Sequence, residues 1–127
     1  MRKFKIKQID AFTDRAFTGN PAAVLPMANG LTDDQMQAIA REMNLSETAF
    51  IFKVEDGVHD MALRWMTPIT EVSACGHATI AAFHALDEEG LFGLDKKQSV
   101  HRFKVKTKGG TVPVEVNRET GRTMISL

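Results

Sequence analysis

The chain has 127 residues, 43% of them hydrophobic and 25% charged, enough for one compact domain with its own core. Its 16 basic and 16 acidic residues cancel to a formal net charge of zero, which argues against a nucleic-acid or membrane surface as the main partner. No apolar run approaches the roughly 18 residues that span a bilayer, no signal peptide is visible, and the single cysteine, Cys75, cannot close an internal disulfide, so a reducing cytoplasm is the expected location.

The basic N-terminus alternates, so residues 4–12 are predicted as an edge strand with a lysine-bearing solvent face. Thr18-Gly-Asn-Pro21 reads as a turn, Ala22–Leu25 as a short apolar strand stopped by Pro26, and Asn29-Gly30 as a second turn. Residues 31–43 carry the clearest helix pattern. Thr32 is placed as N-cap with Gln35 as its capping-box partner, and Asp33 and Asp34 suit the first turn. Met36, Ile39, Ala40 and Met43 form one apolar face, and Asn44 can end the helix in a left-handed conformation.

Residues 47–54 are predicted as a strand, Glu55-Asp-Gly57 as a hairpin turn, and residues 59–66 as the return strand with Met61, Leu63 and Trp65 on one face. Thr67-Pro68 breaks it. Residues 74–89 read as a second helix, closed by Gly90 and apolar almost all round through Ala78, Ile80, Ala81, Ala82, Phe83, Ala85 and Leu86. Such a helix must be covered on nearly every side, and a sheet curled around it would do that. Strands over 98–107 and 111–117 flank the turn Lys108-Gly-Gly110, and a last strand is expected over 122–127 after Gly121. The order β-β-α-β-β-α-β-β-β, with strands in hairpins, predicts an α+β fold on a mixed, mostly antiparallel sheet, as one domain over 1–127. The chain stops on an apolar strand pattern without a polar tail, which leads us to expect a half that pairs with something else.

Three segments offer chemistry. Cys75-Gly-His77 stands where the buried helix begins, and unpaired backbone N–H groups there favour a thiolate and can hold a carboxylate. An imidazole in that first turn can take or give a proton near neutral pH, and Gly76 leaves the backbone bare for a ligand. Glu47, among Leu45, Ala49, Phe50 and Ile51, is a carboxylate entering an apolar strand, an environment suited to general acid/base work. Asn20, before Pro21, offers an amide to a carboxylate or amino group. His59, His84 and His101 have no zinc-like spacing with Cys75, so no metal site is expected, and no phosphate loop or dinucleotide fingerprint is present.

Gly19-Asn-Pro-Ala-Ala-Val24, Met36-Gln-Ala-Ile-Ala40, Asn44-Leu-Ser-Glu-Thr-Ala-Phe50, Thr67-Pro68 and Cys75-Gly-His-Ala-Thr79, in this order, resemble the start of the PhzF-like family. Those are phenazine-biosynthesis-like isomerases, relatives of diaminopimelate epimerase. The resemblance implies a barrel-like curled sheet around a central apolar helix, and two such domains with the active site between them. This chain would be the N-terminal one. It also implies proton transfer, without metal or organic cofactor, on a small carboxylate or amino-acid-like substrate. Glu47 matches the family's proton shuttle, and Cys75 stands where the epimerase branch keeps a catalytic cysteine. Asn20, Ser46, Gly76 and His77 fall at substrate-binding positions. An epimerase using Cys75 would need a second thiol from outside this chain. A homodimer, pairing with a second domain, or a non-catalytic binding module are the remaining expectations.

Overall fold

The computed structural model describes residues 3–11, 20–73, 75–95, 98–119 and 124–126. Within them a single mixed sheet runs in the order β1-β2-β3-β4-β6-β7-β8, with a two-residue β5 beside β4. The strands are β1 (Lys7–Ala11), β2 (Asn20–Leu25), β3 (Glu47–Phe52), β4 (Met61–Met66), β5 (Glu71–Val72), β6 (Val100–Thr107), β7 (Gly110–Asn117) and β8 (Met124–Ser126); the helices are α1 (Asp33–Met43) and α2 (Gly76–Glu89). Two pairings are parallel, β2 with β3 and β4 with β6, and the rest are antiparallel. Each parallel pair is bridged by a helix, as parallel neighbours require.

Helix α1 forms as its caps dictate. The Thr32 hydroxyl accepts from the Gln35 amide at 3.2 Å, and the Gln35 side chain accepts from the Thr32 amide at 2.9 Å. Asn44 ends the helix at φ 52°, and its amide donates to Ala40 O at 3.1 Å. Met36 and Ala40 pack on Leu25, Phe50 and Met66, with Ile39 at the margin.

Helix α2 lies on the other face. Ala78, Thr79, Ala81, Ala82, Phe83, Ala85 and Leu86 are buried. At 3.6 residues per turn they cover more than half its circumference. Ile80 and His84 are only half-buried and Glu88 is exposed, so the cover is less complete than the sequence suggests. The helix packs against β1, β2, β3 and β8, elements from both ends of the sheet order. A flat sheet could not do this; the sheet curls around α2. Ala22 and Ala49 on the strands and the alanines of α2 let the backbones come close, while Ile51, Met61, Leu63, Phe103 and Val116 fill the remaining space. Alternate residues of β3 serve the two faces: Ala49 and Ile51 face α2 and Phe50 faces α1.

Element boundaries shift in instructive ways. Pro21 lies inside β2, paired with Asp10, rather than in a turn; residues 12–19 are outside the described set. The strand predicted from His59 begins at Met61 because Asp56, His59 and Asp60 are used by the loop. Asp56 Oδ1 accepts from the Val58 and His59 amides at 2.9 and 2.8 Å, and Oδ2 takes the His59 Nδ1 contact at 2.7 Å. His59 Nε2 reaches Thr111 Oγ1 at 2.7 Å, tying this loop to β7. The His59 amide, then its ring, then the Val58 amide hold the Asp56 carboxyl well below the usual aspartate range. A depressed native value stabilises above the ordinary aspartate pKa, near 4, and that stability is lost as pH falls below it. Asp56→Asn is therefore expected to lower the urea midpoint at pH 7. The gap to the parent should close as pH falls below about 4, since an amide oxygen keeps the two backbone acceptances while the charge and the Oδ2 acceptor facing His59 are lost. An equal gap at pH 7 and pH 3 would remove the charge from the account.

Candidate active site

Glu47 opens β3 directly after the Asn44 cap and the exposed Ser46, and its backbone is paired with Ala22 of β2. Cys75 is the N-cap of α2, in an extended conformation at φ −156° and ψ 109°. Gly76 is the exposed first helical residue and His77 the second. Thr79 locks this start: its hydroxyl donates to Cys75 O at 2.7 Å, beside the Thr79 amide at 3.1 Å. Thr79 ends the Cys75-Gly-His-Ala-Thr79 motif, and a threonine four residues past a cap is a recognisable place for this bond.

The fold brings Glu47, Cys75 and His77 together. Glu47 Oε2 lies 2.8 Å from His77 Nε2, with side chains 19% and 16% exposed. On the other side of the ring, Nδ1 is 3.4 Å from Cys75 Sγ, the proton lying on sulfur or nitrogen according to the tautomer. The imidazole thus meets a carboxylate at one nitrogen and a thiol at the other, and the Glu47 carboxylate also lies close to the thiol. The Glu47–His77 approach has the distance of an ion pair but not the angles of a hydrogen bond, and both facing atoms are buried without a hydrogen-bond partner. Polar atoms buried with so little geometric satisfaction are costly, and a better-placed partner would relieve that cost.

The thiol corrects one expectation. A helix start was expected to lower it, yet burial pushes the Cys75 thiol up, and the Glu47 carboxylate adds to the rise. The Ala78 and His77 amides pull the other way and do not prevail. Cys75 is half-buried beside a negative charge, and those two effects outweigh the helix end.

One donor atom each from Glu47, Cys75 and His77 lies within 4.8 Å of the others, so these three could hold a metal ion. Asn20 is the first residue of β2, two before the Glu47 partner Ala22, but its side chain lies outside the described residues. Two surface grooves, of about 580 and 310 Å³, are lined by other residues. The larger holds Arg64, whose guanidinium is taken up by Glu71 at 2.7 and 2.8 Å and by Asp33 at 2.8 Å. Its charges largely answer one another, whereas the Glu47–His77 pair leaves polar atoms unmet, so the chemistry is assigned to the cluster and not to the larger groove.

The family model for phenazine biosynthesis-like protein, PhzC-PhzF, matches residues 9–127. The chain belongs to the phenazine biosynthesis-like family. An uncharacterized isomerase of Clostridium acetobutylicum is 50% identical over 119 residues, which are 94% of this chain and 37% of that protein. An uncharacterized isomerase of Bacillus subtilis is 38% identical over 127 residues, all of this chain and 41% of that one. Among solved structures, the Bacillus anthracis phenazine biosynthesis protein of the PhzF family superposes with a TM-score of 0.83 at 35% identity, covering 98% of this chain and 40% of that chain. The chain therefore spans about two fifths of the length of the relatives it matches. The α+β fold with a curled mixed sheet, expected of this phenazine biosynthesis-like chain, is the one observed.

Proposed function

We propose that this chain supplies one wall of an isomerase site that moves a proton on a small carboxylate or amino-acid-like substrate, without a cofactor. The observation that carries the reading is the Glu47 carboxylate set against the His77 imidazole at the head of α2. Glu47 takes a proton from one carbon of the substrate. The electron pair of that C–H bond moves into the substrate's π system, and the same carboxyl returns the proton to another carbon, so no atom is gained or lost. His77, the α2 amides beside Gly76, Ser46 and Asn20 are the groups that hold the substrate, its carboxylate taken by the positive end of the helix. The facing wall comes from chain of the kind that makes the relatives longer, or from a second copy. A cytoplasmic setting fits the lone thiol.

The raised Cys75 thiol favours Glu47 over Cys75 as the base, because a protonated thiol at neutral pH cannot accept a proton. Proton NMR in D₂O, with a panel of small unsaturated and amino-acid carboxylates, tests this on the chain alone and on a chain of the relatives' length. Migration of a double bond with deuterium entering at the new C–H is the expected result. Deuterium entering only at an existing stereocentre would make the enzyme an epimerase, and no exchange with any panel member would remove proton transfer altogether.

A further inference from the structure

We propose that Glu47, Cys75 and His77 also form a binding site for a soft divalent cation, with Zn²⁺ the best-matched, and that the bound ion switches the site off. The binding claim stands on the donor geometry alone; the inhibition rests on the proton-transfer reading above.

The donor set is a thiol, an imidazole and a carboxylate, the three side-chain types that zinc takes, and a sulfur ligand disfavours magnesium and calcium. Among the described residues this is the group of three such side chains whose donors converge. Zinc bonds of about 2.0–2.3 Å place neighbouring tetrahedral donors about 3.3–3.7 Å apart. The Sγ–Nδ1 separation of 3.4 Å already falls in that interval. The whole set lies within 4.8 Å, so closing on an ion asks for at most about 1 Å of contraction in any pair.

A second observation points the same way. Glu47 Oε2 and His77 Nε2 are both buried and without a hydrogen-bond partner. A cation held by the Glu47 carboxylate, Cys75 Sγ and His77 Nδ1 would satisfy the desolvated oxygen, the carboxyl group turning away from Nε2, 2.8 Å off, to reach it. The ligands are also pre-positioned: Cys75 and His77 are held on the first turn of α2 by the Thr79 hydroxyl, and Glu47 by the β2–β3 pairing. Three protein ligands leave a fourth position open to water or a carboxylate. An ion seated there holds the Glu47 oxygen as a ligand, so it can no longer receive a proton from carbon.

Co²⁺ is the probe, added to tag-free protein of the relatives' length and to the chain alone. The expected result is a thiolate-to-cobalt absorption band that saturates at one ion per chain, disappears in Cys75→Ser and is displaced by Zn²⁺. Calorimetry should show that Glu47→Gln and His77→Gln each weaken Zn²⁺ by more than about tenfold, the lower bound seen even for groups one shell further out. Zn²⁺ should also slow alkylation of Cys75 in the unmutated protein, a readout that needs no variant to fold. No sulfur-to-metal band, or a band that survives Cys75→Ser, overturns the site. Exchange in D₂O that continues at saturating Zn²⁺ overturns the inhibition. Because the cobalt and calorimetric readouts need no substrate, failure of the isomerase reading leaves them intact.

Discussion

Glu47→Gln, in a chain of the relatives' length, is expected to lower turnover by about 10²–10⁴-fold, the usual worth of a positioned acid/base group. The substitution is close to isosteric. An amide at the head of β3 can still lie against His77, so substrate affinity should change far less than turnover. What is lost is the oxygen that receives the proton from carbon and gives it back. The effect should therefore fall on kcat, with KM moving little, the pattern of an interaction used in the transition state alone. Circular dichroism separates this from misfolding, since Glu47 makes no contribution to either apolar cluster. Unchanged kcat would end the shuttle role. If Cys75→Ser lowered kcat as much as Glu47→Gln, the base would move to the thiol.

Phe83→Ala should cost about 3–5 kcal/mol of folding stability, the range for a large aromatic lost from a packed interior. Phe83 is 0% exposed, on the face of α2 that the sheet wraps. Its ring lies 5.3 Å from that of Phe103 on β6, tilted by 47°. Domains of this size hold about 5–15 kcal/mol in total, so the variant should lie near the threshold of folding and unfold at a much lower urea midpoint. Ile69, 86% exposed in the β4–β5 turn, is the control: Ile69→Ala should stay within about 0.5 kcal/mol. Equal urea midpoints for the two variants would mean that α2 is not the centre of the core.

Much of this fold can be read from local signals. The capping box at Thr32, the left-handed ends at Asn44 and Gly90, and the alternation of Met61, Leu63 and Trp65 each depend on neighbours a few residues away. Other features depend on partners that no local pattern reports. Strand β5 is two residues long and exists because β4 offers it an edge. His59 leaves its predicted strand because Thr111, far along the chain, takes its ring. The site divides along the same line. Glu47 and His77 can be picked out singly by chemistry and motif, but their 2.8 Å approach is a product of β3 and α2 packing. The thiol was misjudged for the same reason: the helix end is visible in sequence, while the burial and the Glu47 charge that outweigh it are not.

The contacts of α2 with both β1 and β8 carry a consequence for how the chain is made. The helix is complete by Glu89, yet the strand that covers one side of it ends at Ser126. On a ribosome adding about 5–20 residues per second, the apolar surface of α2 waits for several seconds, held only by the strands already made. Local hairpins such as β6–β7 can form during that time, but the sheet cannot close around α2 until β8 is free to dock. The interval between synthesis of α2 and arrival of β8 is thus the stretch in which this chain is most open to aggregation and has most need of a chaperone.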